Sequence, residues 1–156
     1  MDAPMTFRAV RADDLPALKA VIETTTLFPS EMLDGMLAAY IAGTSGDDLW
    51  LTTAEPLPLA VAYCVREPLT AGTCNLLLIA VHASQRRRGL GRALLDHVEA
   101  TLAARGDRLL LVDTSSDAAF DGTREFYRRA GYEEEARIRD YYQDGDAKVT
   151  FRKRLR

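Results

Sequence analysis

The chain has 156 residues, of which 47% are hydrophobic and 28% charged, and its formal net charge is −3. This is the size and composition of one globular domain with a sizeable core, which excludes disordered and fibrous classes. The acidic balance excludes a general nucleic-acid binder, which needs a large excess of Lys and Arg.

The first stretch, "MDAPMTFRAVRADD", carries acidic residues and no apolar h-region, so no signal peptide is read and a cytoplasmic location is expected. Phe7 to Val10 predicts a strand. Asp13 or Asp14 supplies an N-cap, Pro16 fits a first helical turn, and Leu15, Leu18, Val21 and Ile22 mark one apolar helix face. A second helix runs through Met32, Leu33, Met36, Leu37, Tyr40 and Ile41, with Gly43 near its end.

Leu49–Thr53, Leu59–Arg66 and Thr73–Val81 predict three strands, the last two joined as a hairpin by "EPLTAG". The longest apolar run, "LLLIAV", is strand-sized and far short of the roughly 18 residues of a membrane span. Cys64 and Cys74 fall on the hairpin without metal-type spacing. A bridge there stays open, but without an export signal two reduced core thiols are expected.

Next comes "HASQRRRGLGRALLDHVEA", from His82 to Ala100, with Leu90, Leu94, Val98 and Leu102 at helical spacing and Gly106 as a stop. "RLLLVD", Arg108 to Asp113, reads as a buried strand and the polar "TSSDAAFDG" as a loop. A helix through Phe126 and Tyr127 follows, stopped at Gly131. Two strands around "QDGD" close the chain. The strand, basic loop, helix and strand at the centre predict a parallel crossover.

The loop carries the chemistry. The first N–H groups of a helix have no intrahelical partner and sit at its positive end. Gly89 and Gly91 let a ligand approach the backbone, and Arg86, Arg87, Arg88 and Arg92 add a local positive field. This suits a pyrophosphate. A P-loop is excluded because no Lys and hydroxyl follow Gly91. The dinucleotide fingerprint fits poorly, since its third position is the bulky Leu94 and the glycines lie far from the strand.

Arg86-Arg87-Arg88-Gly89-Leu90-Gly91 resembles the Q/R-x-x-G-x-G/A signature of the GNAT superfamily of acetyl-CoA-dependent N-acetyltransferases. "TREFYRRAGY" resembles that family's downstream motif, and the order of elements agrees along almost the whole chain. The resemblance implies a single domain over residues 1–156 of mixed α/β (α+β) class. Its sheet is mainly antiparallel, flanked by helices, with splayed fourth and fifth strands. The backbone of Ala80 and Val81 would hold the pantetheine arm of acetyl-CoA. The amides of Arg87, Arg88, Gly89, Leu90, Gly91, Arg92 and Ala93 would hold the pyrophosphate, with Arg86 opening the signature.

The resemblance also implies direct attack by a neutral amine, with the Val81 amide near the developing oxyanion and Tyr127 as general acid. A phenol with a pKa near ~10 is protonated at neutral pH and can donate at once. Many members place a Glu on the fourth strand as base, and "TCNLLLIAV" has no acid. Asp113, Glu67 and a water chain to solvent are the candidates for that role. The missing acid also supports an alternative, a non-catalytic CoA-binding or sensory module.

His82 and His97 have no neighbours at ligand spacing, so no metal is expected, and they read as capping or surface residues. Tyr141 and Tyr142 stand where family members build an acceptor wall, and Glu133–Glu135 read as a solvated turn. The expected partner is a small-molecule or protein amine, with neither nucleic acid nor membrane; the resemblance allows a homodimer.

Overall fold

The computed structural model describes residues 4–156, so the first three residues of the N-terminal stretch lie outside it. The strands form a seven-stranded mixed sheet in the order β1-β2-β3-β4-β5-β7-β6. They are β1 (Phe7–Ala9), β2 (Leu49–Thr53), β3 (Ala60–Arg66), β4 (Thr73–Val81), β5 (Leu109–Ser115), β6 (Glu133–Gln143) and β7 (Asp146–Arg154). The helices are α1 (Leu15–Glu23), α2 (Met32–Ile41), α3 (Leu90–Ala104) and α4 (Asp121–Arg129). β4 pairs with β5 in parallel, whereas β1–β2, β2–β3, β5–β7 and β6–β7 are antiparallel. The β4–β5 register ends at Leu76↔Val112 and both strands run on past it, as expected for splayed strands. Among the described residues no helix is long and apolar enough to cross a membrane.

The chain divides into two compact units. The first comprises Met1–Val65 and Leu78–Thr101. Its core joins Leu18, Val21 and Ile22 of α1, Leu33 and Leu37 of α2, Trp50, Val61, Leu78 and Ala80. Each fully buried aliphatic side chain contributes about 1.5–3 kcal/mol of transfer free energy. Trp50 stacks on Tyr63 with ring centroids 4.0 Å apart. Asp14 stands at the N-cap of α1, as the sequence predicts, but its carboxylate does not cap that helix. It accepts two bonds from the Arg8 guanidinium, at 2.7 and 2.8 Å, and one from the Arg11 amide at 2.7 Å. A charged bidentate donor outcompetes a single backbone amide.

The second unit comprises Arg66–Leu77 and Leu102–Arg156. Leu110 and Val112 of β5 are buried, as are Val149 and Phe151 of β7 and Tyr127 of α4. Asp107, 1% exposed, is held by Arg66 at 2.9 Å and Arg105 at 3.0 Å. β5 reaches Ser115, beyond the expected end at Asp113, because its register with β7 continues through Thr114↔Val149 and Ser115↔Lys148. Thr114 is buried, so a polar stretch that reads as loop begins as strand. β6 is exposed at every residue. Its charges and its register shifts at Glu134/Ala136 and Ile138/Gln143 blunt a free sheet edge.

Candidate active site

In the first unit, β4 delivers the chain into the basic loop. His82 donates its backbone N–H to the Leu59 carbonyl at 2.8 Å, and its Nδ1 accepts from Ser84 N–H at 3.1 Å, capping a 3₁₀ turn over Ala83–Gln85. Arg87 (φ 63°) and Gly89 (φ 80°) both adopt left-handed backbone on either side of Arg88. Such alternation turns successive N–H groups toward one concavity, which is an anion-binding geometry. Ala93 N–H donates to the Gly89 carbonyl at 3.0 Å, so the intrahelical ladder of α3 starts there. The amides of Leu90, Gly91 and Arg92 precede that first bond and have no i−4 partner within the helix. A Cβ built on Gly89 would meet nothing within 4 Å, so space at this position is open.

The arginines divide their duties. One Arg86 guanidinium nitrogen donates to the Thr24 carbonyl at 3.0 Å, and Ala83 N–H donates to Thr24 Oγ1, also at 3.0 Å. The loop is thereby tied to the end of α1. Arg92 bonds Asp96 one turn along α3, at 3.0 Å. Ala80 is buried and Val81 half-buried at the end of β4. His97 packs its ring 5.2 Å from Phe7.

In the second unit, Asp113 stands near the end of β5. Its Oδ1 accepts from Thr150 Oγ1 at 2.6 Å, its Oδ2 accepts from Asn75 Nδ2 at 3.4 Å, and the Lys148 ammonium lies 3.9 Å away. Asn75 also donates to Glu67 Oε1 at 3.1 Å. One amide therefore serves both carboxylates considered as bases. Asp113, Thr114, Ser115, Phe120, Tyr142 and Asp146 line a pocket of about 350 Å³. Ser115 Oγ donates to Asp146 Oδ1 at 2.5 Å, which fixes that carboxylate on the pocket wall. Burial first, and then the charges of Asp113 and Asp146 with Tyr141 beside them, raise the Tyr142 phenol above its ordinary pKa.

Tyr127 of α4 is 2% exposed and packs against Phe126, Tyr132 and Phe151 at centroid distances of 5.2, 5.5 and 6.0 Å. This apolar cage pushes its phenol well above the ordinary value, by desolvation. The α4 N-terminus is held by buried Arg124, which bonds the carbonyls of Ser115 and Asp117 and the carboxylate of Asp121. Cys64 and Cys74 are buried thiols.

Sequence reading singles out neither Asn75, Thr150, Phe120, Asp146 nor Thr24. Asn75 does leave a trace: it is the one amide in the otherwise apolar run "NLLLIAV". The others owe their positions to β5–β7 register or to the fold of the loop, and a one-dimensional pattern carries neither.

The model of the acetyltransferase (GNAT) domain matches residues 46–134. A protein from Desulfovibrio desulfuricans assigned to the GNAT family is 30% identical, covers 98% of this chain and 100% of its own, and superposes with a TM-score of 0.88. The ribosomal-protein-S18-alanine N-acetyltransferase of Escherichia coli shares the fold at 22% identity, with coverage of 97% and 94% and a TM-score of 0.74. So does a Salmonella typhimurium protein solved with acetyl-CoA, at 18% identity, 99% and 95% coverage and a TM-score of 0.77. No curated protein matches the chain by sequence.

Proposed function

This chain belongs to the acetyltransferase (GNAT) family, and on that premise we propose that it transfers an acetyl group from acetyl-CoA to a primary amine in a ternary complex. The observation that carries the reading is the loop between β4 and α3. Left-handed backbone at Arg87 and Gly89, followed by the unladdered amides of Leu90, Gly91 and Arg92, is a receptor for a pyrophosphate. Arg87 and Arg88 supply charge at its rim, while Arg86 braces it. Ala80 and Val81 offer backbone to the pantetheine arm.

The chemistry follows in one displacement. The amine nitrogen forms its bond to the thioester carbonyl carbon, and the Val81 N–H stabilises the oxyanion that develops. The C–S bond breaks, and Tyr127 gives its proton to the departing thiolate. The nitrogen's proton passes to Asp113, directly or through water. Tyr127 carries its proton at neutral pH, and Asp113 places a carboxylate near the end of β5, held there by Thr150. The whole of residues 1–156 acts as one catalytic domain, in the cytoplasm, where Cys64 and Cys74 stay as thiols.

Thermal denaturation with CoA, ATP and NAD tests the donor. A ligand at a hundred times its Kd stabilises by about 2.7 kcal/mol, and the rise is expected with CoA alone. Stabilisation by ATP or NAD without CoA would overturn the reading. Acetyl-CoA-dependent thiol release across a panel of amines then separates the enzyme from a CoA-binding module without turnover.

A further inference from the structure

From the pocket at the end of β5 we infer that the acceptor is a primary amine with a single positive charge and an uncharged, apolar body. This rests on the acetyltransferase reading above. The pocket of about 350 Å³ lies at the small end of ligand cavities and takes a molecule of one ring, not a folded chain. Its two walls differ in kind. Phe120 and Tyr142 offer ring surface, and Asp113 and Asp146 offer carboxylates.

Among the described residues Lys148 is the one cation within ion-pair reach of the two lining carboxylates, 3.9 Å from Asp113 and 4.3 Å over the Tyr141 ring, so these three groups sum to one negative unit. One ammonium completes the balance. A second cation on the acceptor would face Lys148, and an acceptor carboxylate would face Asp146, whose position is locked by Ser115. Asn75 holds Asp113 in place, its Nδ2 donating to Asp113 at 3.4 Å and to Glu67 at 3.1 Å. The aromatic walls favour an apolar body that can stack, and a ring face also tolerates the cation.

Calorimetric titration of the full chain with CoA present decides this, using benzylamine, phenylglycine and 1,4-bis(aminomethyl)benzene as probes. The three share a ring and differ by one carboxylate or one further ammonium. Benzylamine is expected to bind at least tenfold more tightly than either other probe. Asp146→Asn should narrow the benzylamine-to-phenylglycine ratio to threefold or less, and Tyr142→Ala, a change at a half-exposed surface ring, should weaken benzylamine at least fivefold. Equal affinities in the native chain, tighter binding of the diamine, or an unchanged ratio in Asp146→Asn would overturn the inference. If Asp146→Asn does not fold, undiminished benzylamine binding by Tyr142→Ala overturns it instead. CoA binding without benzylamine binding removes this inference alone, whereas failure to bind CoA removes the acetyltransferase reading whatever benzylamine does.

Discussion

Replacing Gly89 by Ala separates the two things that this glycine does. Its φ of 80° lies in the left-handed region, where a Cβ costs about 1–2 kcal/mol. Nothing stands within 4 Å of that Cβ, so no packing term adds to the strain. Gly43 is a matched control in the same unit, with φ 76° and an equally open Cβ direction. Both substitutions should lower the melting temperature alike, by about 2–4 °C for each kcal/mol in a chain of this length.

Ligand binding should divide them. A methyl group on Gly89 displaces a phosphate oxygen from the loop amides and loses charge-assisted bonds of about 1.5–3 kcal/mol each. One such bond corresponds to a Kd for CoA raised about tenfold to a hundredfold. Gly43→Ala should leave CoA affinity unchanged. Isothermal titration with CoA, beside thermal denaturation of both variants, measures all four quantities. If Gly89→Ala binds CoA like the native chain while showing the expected strain, the pyrophosphate does not lie against this backbone and the site reading fails.

Tyr127→Phe keeps the ring among Phe126, Tyr132 and Phe151, so it should lower kcat about a hundredfold or more while CoA affinity holds; unchanged steady-state turnover would remove Tyr127 from the acid role. Asp113→Asn should depress kcat by a comparable factor, with recovery as pH rises and more of the acceptor is already neutral. A pH–rate profile parallel to that of the native chain would count against Asp113 as base. The Arg8–Asp14 pair gives a stability test. Arg8 holds the Asp14 carboxyl below the usual range, so its contribution is complete above the unfolded-state value and disappears as pH falls through the folded one. Asp14→Asn should therefore lose about 2 kcal/mol at neutral pH by urea denaturation, and the gap to the native chain should close on acidification.

Much of this fold is legible in the sequence because its signals are local. Pro16 at the start of α1, the four-residue spacing of Leu90, Leu94, Val98 and Leu102, and Gly106 and Gly131 with φ of 96° and 90° each report a boundary through its own stereochemistry. The loop is legible for the same reason, since Gly89 and its arginines are contiguous. The pocket is not. Asp113 reads as a strand-end acid, but Asp146 and Thr150 reach it only through the antiparallel register of β5 and β7, which pairs Asp113 with Thr150 and Ser115 with Lys148. Strand register is a property of two segments and their turn, and composition within either segment does not encode it. The end of β5 is obscured likewise, because Thr114 and Ser115 are turn-like residues that the β7 partner recruits into the ladder.

The arginine run has a different meaning once its side chains are placed. Four arginines from Arg86 to Arg92 would suggest a field made by side chains alone, yet Arg86 braces Thr24 and Arg92 bonds Asp96. One of the four thus braces the loop backbone, and another is drawn along α3 by a surface ion pair. That division makes physical sense in a chain of net charge −3, because a flexible arginine offers a phosphate charge without position. Amides fixed by left-handed residues at 87 and 89 offer position and partial charge together, with no rotamer to immobilise. Arg86→Ala should consequently impair the site by loosening the loop against α1, and Arg86→Lys should restore part of it, since an ammonium can still donate to the Thr24 carbonyl. A phosphate-binding Arg86 would lose affinity steeply with added salt, whereas a brace leaves the salt dependence of CoA binding unchanged in the variant.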